Sequence, residues 1–332
     1  MPPHAALMQM LTGKWVSSAI STAATIGIAD HLEAGPKTAS ELAALTKTNP
    51  SALYRLLRAL AGFGIFQEGE GQVFSQTPLS EPLRTSAKPG LRNMAMMFID
   101  DWHVDAWKEL QWTVETGRPA PYKLYGMGGF DYFVKHPEKA VNFNNAMSDL
   151  SQAEAPAIAG SYHFSGFKHI VDIGGGLGTL LAAILERNPS LRGTVYDLPY
   201  VIDQARTGPI LAPFSSRCQC VGGSFFEAVP PSDAIIMKHI IHDWDDEKAQ
   251  LILSNCRKAI DPQGKLLVVD QVVGPPNVPE LAKVMDLEML VAPGGLERTE
   301  DQWTRLFTAA GFKLTQIIAT PGPQKIIEGV PA

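Results

Sequence analysis

The chain has few cysteines and few charged residues, and both shortages exclude certain classes of protein. Three cysteines among 332 residues are too few for a secreted disulfide scaffold, and Cys218-x-Cys220 alone is too small a set for a zinc site. We therefore expect reduced, partly buried thiols. Charged residues make up 19% of the chain and hydrophobic residues 45%, which excludes a disordered or fibrous protein and is typical of a globular one.

Excess positive charge and long apolar runs are also missing. The net charge of −6 argues against a nucleic-acid partner for the chain as a whole. The opening residues Met1-Pro2-Pro3-His4 lack the basic residues of a signal peptide, and polar residues interrupt the apolar segments. We expect a cytoplasmic protein that binds neither nucleic acid nor a membrane.

Residues 1–90 have the outline of a winged-helix unit. Thr38-Ala39-Ser40-Glu41 predicts a capping box that opens a short helix, and Asn49-Pro50 predicts the start of a second helix. Residues 68–71 are glycine-rich and lie between two apolar stretches, as in a hairpin. Leucines at i, i+3, i+4 and i+7 give the second helix a buried face: Leu53, Leu56, Leu57 and Leu60.

The winged-helix unit has two possible functions. It could bind DNA through Arg55 and Arg58 on its second helix, or it could be a structural or dimerising module. Residues 1–90 contain seven Lys and Arg against six Asp and Glu, which is no electrostatic footprint for phosphates. We favour the dimerising module.

Residues 91–165 are expected to be helices rich in methionine and aromatic side chains. Such side chains form a core more often than a cofactor site. Some are still expected to line the pocket of this protein, because methionine adapts to irregular surfaces. The residues are Met94, Met96, Met97, Phe98, Trp102, Trp107 and Trp112.

Residues 166–332 alternate between apolar strands and helices. The strongest apolar runs are 169–173, 193–198, 233–238 and 264–269, with Cys218–Gly222 as a weaker one. The segments 247–260 and 301–310 are helical candidates. This alternation predicts an α/β domain with a mainly parallel sheet, in which ligands bind beyond the carboxyl ends of the strands.

A glycine-rich turn follows the first of these strands. Gly174, Gly176 and Gly178 lie between the apolar run at 169–173 and a predicted helix, where backbone N–H groups can approach a ligand closely. Nineteen residues after Gly178, Asp197 ends the next strand and is placed to bind a ribose hydroxyl. The turn therefore predicts a nucleoside ligand.

The spacing of the turn discriminates among nucleosides. It lacks the Gly-Lys-Ser/Thr of triphosphate sites, and Thr179 stands where the dinucleotide motif needs glycine. Asp172 two residues before Gly174 gives the D-x-G-x-G-x-G form, which suits S-adenosylmethionine, a nucleoside without phosphate.

A histidine-containing stretch follows the strand at 233–238. His242 lies near the carboxyl end of that strand, on the expected nucleoside-binding edge of the sheet, and an imidazole is suited to general-base catalysis. An isolated histidine is more often a packed or capping residue. We interpret His242 as the base and His239 as structural.

Five motifs together resemble the caffeic-acid-type S-adenosylmethionine-dependent small-molecule O-methyltransferases of plants and microbial natural-product pathways. They are VDIGGGLGT, YDLP, GGSFFEAVP, MKHIIHDWDDE and PGGLERTE, in that order. The resemblance implies a Rossmann-like class I methyltransferase domain over 166–332, a winged-helix dimerisation domain over 1–90, and a helical linker over 91–165 that contributes to the substrate pocket. It also implies a homodimer and a small aromatic acceptor.

The resemblance assigns roles to individual residues. For the cofactor these are Gly174 at the methionine part, Asp197 at the ribose, Phe225 at the adenine, Lys238 and Trp244, with Ser224 at an adenine-contacting position. For catalysis they are His242 as the base and Asp270 and Glu297 as flanking carboxylates. For the acceptor they are Phe143, Met147 and Met289. We expect no metal, since no Asp/Asn set is dedicated to magnesium.

Two positions depart from the family pattern. Ser224 replaces the usual Asp, which weakens the expected contact with adenine. Asp270 stands where the family often has Glu, and its side chain is one methylene shorter. Whether Asp270 reaches His242 is therefore left open, and Glu297 is the alternative orienting group. Other readings are an N-, S- or C-methyltransferase, a cofactor-binding regulator that reads DNA, and a nicotinamide oxidoreductase.

Overall fold

The computed structural model describes residues 1–332 as two compact units. One comprises Met1–Asp105 and Phe133–Ala153, and the other comprises Ala106–Tyr132 and Glu154–Ala332. The boundaries fall inside three helices, which are α7, α10 and α11 in the numbering below. Residues 91–165, expected to be one linker, are thus divided between the two units.

The secondary structure consists of sixteen α-helices and twelve strands. The helices are α1 Pro3–Leu11, α2 Gly13–Thr25, α3 Ile28–His31, α4 Ala39–Thr46, α5 Pro50–Gly62, α6 Arg92–Met97, α7 Asp101–Lys108, α8 Leu110–Thr116, α9 Ala120–Tyr125, α10 Gly129–Lys135, α11 Val141–Gly160, α12 Thr179–Arg187, α13 Pro199–Thr207, α14 Asp246–Ala259, α15 Leu281–Val291 and α16 Glu300–Ala309. The strands are β1 Lys37–Thr38, β2 Phe66–Gly69, β3 Val73–Gln76, β4 His169–Ile173, β5 Arg192–Asp197, β6 Cys218–Gly222, β7 Ser232–Lys238, β8 Ile260–Asp270, β9 Val272–Val273, β10 Arg298–Thr299, β11 Phe312–Ala319 and β12 Lys325–Pro331.

The first unit contains the predicted winged helix. The capping box at Thr38 and Glu41 is present, and the Asn49 side chain accepts a hydrogen bond from the Ala52 N–H at the start of α5. Leu53, Leu57 and Leu60 of α5 are buried. Strands β2 and β3 form the predicted antiparallel hairpin, to which β1 adds a third strand.

Helices α6–α11 account for most of residues 91–165, as the sequence predicts. In the first unit, Trp102 makes edge-to-face contacts with Phe133 and Phe143, at ring-centroid distances of 5.0 and 6.0 Å. None of the helices is long and apolar enough to span a membrane.

The second unit is built on a seven-stranded sheet of order β11-β12-β8-β7-β4-β5-β6. The strands from β8 to β6 are parallel, as predicted, while β12 and β11 add an antiparallel edge that the sequence pattern did not reveal. Alternate residues of the central strands enter separate cores on the two faces, one against α14 and α16 and the other against α11 and α12.

The strand order reverses at β4. From β4 the chain moves outward to β5 and β6, then returns to place β7 on the other side of β4. Ligands of open α/β sheets bind at such a reversal, beyond the carboxyl ends of the strands. The glycine turn after β4 and the histidine stretch after β7 are therefore neighbours.

Candidate active site

The glycine turn is held in a conformation that glycine alone adopts without strain. Gly174, Gly176 and Gly178 have φ values of +63°, +56° and +84°. A Cβ on Gly174 would lie 2.3 Å from Cδ1 of Ile240, in the chain segment after β7. The turn thus packs closely against the segment that leads from β7 to His242.

Asp197 and the glycine turn are bound to each other. At the end of β5, the Asp197 carboxylate accepts hydrogen bonds from the N–H of Gly176 at 2.9 Å and from that of Leu198 at 2.7 Å. Burial raises its pKa in spite of these bonds. Each carboxylate oxygen has a second lone pair, so both can still accept a hydroxyl.

Asp172 is a buried carboxylate beneath the turn. A Cβ on Gly175 would lie 2.9 Å from Asp172 Cγ, and Oδ2 of Asp172 has no hydrogen-bond partner. Burial raises the pKa of Asp172 to about 7, although Lys238 opposes the shift. The turn therefore lies over an acidic group that is readily protonated.

Three aromatic rings line one side of the site. Phe226 and Trp244 meet edge to face at 4.9 Å, and Phe225 lies 4.8 Å from Phe226 and 6.3 Å from Trp244 between ring centroids. Phe225 also lies near the position of a Cβ on Gly174. The Ser224 hydroxyl accepts a bond from the N–H of Phe226 at 3.3 Å. An apolar surface thus borders the glycine turn.

Lys238 ends β7 and is paired with Glu154 of α11. Its Nζ lies 3.0 Å from Glu154 Oε2, which also lies 3.1 Å from Nε2 of His239, and Gln324 donates to the other oxygen. Burial opposes ionisation of Glu154, but the hydrogen bonds from His239 and Lys238 lower its pKa. Lys238 is therefore fixed by Glu154, a residue that sequence reasoning did not single out.

His242 lies in a short turn after β7 and is surrounded by carboxylates. Its Nδ1 is 2.8 Å from Glu297 Oε1, a hydrogen-bond distance, whereas Asp270 Oδ1 is 3.8 Å from the same nitrogen. Asp243 Oδ1 is 3.6 Å from the other ring nitrogen, Nε2. The side chains of Asp270 and Glu297 are fully buried, and that of His242 is 8% exposed.

The carboxylates determine the charge of His242. Burial alone would lower its pKa, but Asp270, Asp243 and Glu297 outweigh that effect and raise it to about 10. Burial raises the pKa of Asp243 to about 7, against the opposing charge of His242. The surrounding carboxylates therefore favour the protonated form of His242.

Glycine at position 295 joins His242 to its orienting carboxylate. A Cβ there would lie 1.9 Å from the His242 carbonyl oxygen and 2.4 Å from the Asp243 carbonyl carbon. The next residue, Leu296, donates its N–H to the His242 carbonyl at 2.9 Å, and Glu297 follows directly. The two segments can approach this closely only because residue 295 has no side chain.

The residues expected to contact the acceptor lie in different units. Phe143 and Met147 are one turn apart on α11 in the first unit, where Phe143 stacks on Phe133 at 5.3 Å. Met289 is buried in α15 of the second unit. The adjacent Glu288 accepts a hydrogen bond from the indole of Trp107 at 2.5 Å.

Sequence reasoning did not single out two polar residues of this site, Asp243 and Glu154, and it interpreted His239 as structural. Asp243 directly follows His242 in the chain, so its proximity to that histidine could have been expected. His239 has φ of +56°, which is uncommon for a residue other than glycine and directs attention to a functional strand end. Glu154 is 84 residues from Lys238, and no local pattern marks it.

Together, the seven-stranded sheet with its antiparallel edge, the strand reversal and the glycine turn give the second unit the fold of a class I methyltransferase. Comparison with known proteins narrows this class. The O-methyltransferase domain family matches residues 107–313, and the O-methyltransferase dimerisation domain matches residues 8–86. The chain belongs to the O-methyltransferase family, whose methyl donor is S-adenosylmethionine.

Individual relatives resemble the whole chain. Phenazine O-methyltransferase PhzM of Lysobacter antibioticus is 40% identical over 331 residues, which cover 99% of this chain and 97% of the relative. The crystal structure of LaPhzM superimposes with a TM-score of 0.94 at 40% identity and full coverage of both chains. NcsB1 of neocarzinostatin biosynthesis, solved with S-adenosylmethionine and 2-hydroxy-5-methyl naphthoic acid, has a TM-score of 0.80 at 31% identity and coverage of 95% and 96%.

The residues present fit S-adenosylmethionine. The turn is open at Gly176, where a Cβ would meet no atom within 4 Å, and Asp197 keeps free lone pairs for ribose hydroxyls. Phe225 and Trp244 supply an apolar border suited to a purine. The turn has no cation that could bind a phosphate, and S-adenosylmethionine contains no phosphate.

Proposed function

We propose that this protein transfers a methyl group from S-adenosylmethionine to a hydroxyl of a small aromatic acceptor, with His242 as the general base. The observation that carries the proposal is the 2.8 Å hydrogen bond between His242 Nδ1 and the buried Glu297, beside the glycine turn. A carboxylate on Nδ1 fixes the tautomer and leaves Nε2 to exchange a proton with the acceptor.

The chemistry requires deprotonation of the acceptor. A phenol has a pKa of about 10, so at neutral pH its oxygen is a poor nucleophile. Asp270, Asp243 and Glu297 raise the pKa of His242, which makes its neutral ring a stronger base toward a phenol. The bound cofactor supplies an electrophilic methyl group on a sulfonium.

Each carboxylate near His242 has a separate role in this proposal. Glu297 orients the ring through Nδ1, and Asp270, at 3.8 Å, supports the positive charge without a hydrogen bond. Asp243, at 3.6 Å from Nε2, lies on the side where the acceptor hydroxyl must bind. Together they stabilise the imidazolium that forms when His242 takes the proton.

The cofactor and acceptor contacts follow from the resemblance and the local structure. We propose that Gly174, Asp197, Ser224, Phe225, Lys238 and Trp244 hold S-adenosylmethionine. Phe143, Met147 and Met289 are proposed to contact the acceptor. The relatives are named for phenazine and crystallised with a naphthoic acid, which supports a fused-ring aromatic acceptor.

The proposed organisation has three parts. Residues 1–90 form the dimerisation domain of a homodimer, residues 91–165 contribute to the substrate pocket, and residues 166–332 form the catalytic domain. The match of residues 8–86 to the family's dimerisation domain supports the first assignment.

The test combines an acceptor screen with one substitution. Phenolic and fused-ring hydroxyl acceptors are incubated with methyl-labelled S-adenosylmethionine, and the labelled product is identified. His242→Ala should lower the transfer rate by about 10²–10⁴-fold. Its affinity for S-adenosylhomocysteine, measured by calorimetry, should be nearly unchanged.

Other outcomes select the alternatives. A mild effect of His242→Ala with an amine, thiol or carbon acceptor would indicate an N-, S- or C-methyltransferase, because such acceptors need little help from a base. Equal loss of transfer and cofactor binding would make His242 structural and overturn the mechanism. Absence of transfer with any acceptor, together with a gel shift at physiological salt, would favour a DNA-binding regulator.

A further inference from the structure

Four buried polar atoms behind His242 have no hydrogen-bond partner. They are both carboxylate oxygens of Asp270, Nδ1 of His239 and Oε2 of Glu297. Buried polar atoms are almost always paired, so a cluster of unpaired ones calls for an explanation, such as an ion or a water. Asp270 is fully buried at the end of β8, between the two imidazole rings.

The distances in this cluster suit a metal ion. Asp270 Oδ1 is 3.7 Å from His239 Nδ1 and 3.8 Å from His242 Nδ1, and the ligand atoms of the three residues all lie within 4.8 Å of one another. In a tetrahedral zinc site with bonds of about 2.1 Å, neighbouring ligand atoms are about 3.4 Å apart. The two Asp270 distances therefore need to shorten by a few tenths of an ångström, and the two histidine nitrogens, which lie within 4.8 Å of each other, by at most about 1.4 Å.

The surroundings of His239 favour coordination through Nδ1. Its other nitrogen, Nε2, lies 3.1 Å from Glu154, which fixes the ring so that Nδ1 points toward Asp270. A carboxylate that accepts the other N–H of a ligating histidine is usual in zinc sites.

The ligand types identify the ion. Two imidazoles and one carboxylate suit Zn²⁺ and related transition metals, whereas Mg²⁺ and Ca²⁺ prefer oxygen ligands throughout. A water molecule could bridge two or three of the unpaired atoms, and it is the competing occupant.

We propose that His239, His242 and Asp270 form a binding site for Zn²⁺ that inhibits the enzyme. The binding stands on the geometry alone, while the inhibition rests on the proposed role of His242 as base. Zn²⁺ bonds to Nδ1 of His242 in place of its proton, which leaves to solvent, and the 2.8 Å hydrogen bond between Nδ1 and Glu297 Oε1 is broken. The neutral ring then carries its remaining proton on Nε2, the atom that must accept the acceptor's proton, so it cannot act as a base.

The first measurement is Zn²⁺ binding without cofactor or acceptor, by competition with a metallochromic chelator on the full-length protein. His239→Asn removes one ligand, and asparagine tolerates the positive φ at this position. We expect one high-affinity ion per chain in the parent protein and an affinity at least about tenfold weaker in His239→Asn. Asp270→Asn should weaken binding similarly.

Matched controls separate this site from other histidines and from the thiols. His163 is exposed, and His163→Asn should leave Zn²⁺ affinity unchanged. Cys218 and Cys220 are the other neighbouring soft ligands, and Cys220→Ser should also have no effect. The thermal midpoint and the affinity for S-adenosylhomocysteine show that each variant is folded.

The second measurement is methyl transfer with and without Zn²⁺, each variant compared with its own metal-free rate. Zn²⁺ should inhibit the parent protein, EDTA should reverse the inhibition, and His239→Asn should resist it. No Zn²⁺ binding by the parent, or binding unaffected by both His239→Asn and Asp270→Asn, overturns the inference and leaves water in the cluster. If binding follows the prediction but no acceptor is methylated, the proposed function fails and the metal site stands.

Discussion

The carboxyl ends of β4 and β7 are neighbours in the sheet, but one presents mainly backbone groups and the other mainly ionisable side chains. After β4 the site consists mainly of backbone, with three glycines at positive φ and the Asp197 carboxylate bound to the N–H of Gly176. After β7 it consists of buried ionisable side chains, with two histidines and a lysine among four carboxylates. The conformation of the β4 end depends on glycines that lack side chains. The β7 end depends on carboxylates that compensate the positive charges of the lysine and the histidines.

This difference explains what each end can do. Backbone N–H groups present a fixed shape to a ligand and do not titrate, which suits binding of one cofactor. A buried charge cluster is costly unless its members compensate one another, and its protonation can change during a reaction. Binding and proton transfer are thus assigned to adjacent strand ends with different sensitivities to mutation and pH.

The largest expected effect comes from the charged end. Glu297→Gln should lower kcat by about 10²–10⁴-fold, because the amide does not stabilise an imidazolium. Asp270→Asn should cost less, since Asp270 makes no hydrogen bond to His242. Steady-state rates with labelled S-adenosylmethionine measure both, and a larger loss for Asp270→Asn would reverse the assignment of the orienting carboxylate.

A smaller effect is expected at the glycine end. Gly174→Ala places a Cβ 2.3 Å from Ile240 Cδ1, whereas Gly176→Ala meets no atom within 4 Å and suffers only its positive φ. Overpacking of about 1–3 kcal/mol predicts a cofactor affinity about fivefold to a hundredfold weaker for Gly174→Ala and a smaller loss for Gly176→Ala. Calorimetry with S-adenosylhomocysteine tests this, and equal losses would show that strain, not the contact with Ile240, sets the requirement.

The pH dependence distinguishes the two ends further. The neutral base is scarce at pH 7 because the pKa of His242 is raised to about 10, so kcat/KM for a phenol should rise with pH. Asp243→Asn removes one of the raising charges and should move the midpoint of this rise down by about one pH unit. Cofactor affinity should not follow the same profile, and an unmoved midpoint in Asp243→Asn would contradict the role of Asp243.

The same shift has a consequence for stability, with a defined sign. A raised pKa in the folded state contributes stability that is fully present below pH 6.5, the ordinary value for histidine, and is lost as pH rises through about 10. Asp243→Asn should therefore reduce the fall in thermal midpoint between pH 7 and pH 10. Scanning calorimetry of the cofactor-free protein measures the difference.

The smallest expected effect concerns Ser224 beside the glycine end. Ser224→Asp restores the acidic residue that the family pattern has there and should strengthen cofactor binding by about fivefold, equivalent to about 1 kcal/mol for a hydrogen bond. Ser224→Ala is the matched control and should weaken binding slightly. Weaker binding by Ser224→Asp would show that the site compensates for the missing carboxylate in another way.

The two ends also differ in how far the sequence predicted them. The β4 end was predictable because glycine spacing and the following helix are local signals that fix the backbone directly. The parallel strands and the helix–hairpin unit followed from periodicity in the same way. The antiparallel edge formed by β11 and β12 was missed, because strand direction depends on distant pairing and not on local pattern.

The β7 end was predictable only in part. His242 follows from its position after a buried strand, but its partners come from distant segments: Glu154 of α11, Asp270 of β8 and Glu297 after α15. The distances of these carboxylates from His242 and Lys238 depend on tertiary packing. The 3.8 Å distance between Asp270 Oδ1 and His242 Nδ1 therefore could not be read from the sequence. The structural role assigned to His239 stays a prediction. The Zn²⁺-binding measurements on the parent protein and on His239→Asn test it.

The missing side chain at Gly295 has a consequence for engineering this protein toward new acceptors. Any other residue there would push the Glu297 loop away from the His242 backbone, so the proposed base and its carboxylate partner must be kept together. Under the proposed function, libraries that hold positions 242 and 295–297 constant and vary residues such as Met289 would explore acceptor choice while keeping the hydrogen bond between His242 and Glu297. Specificity can then diverge while the chemistry stays fixed.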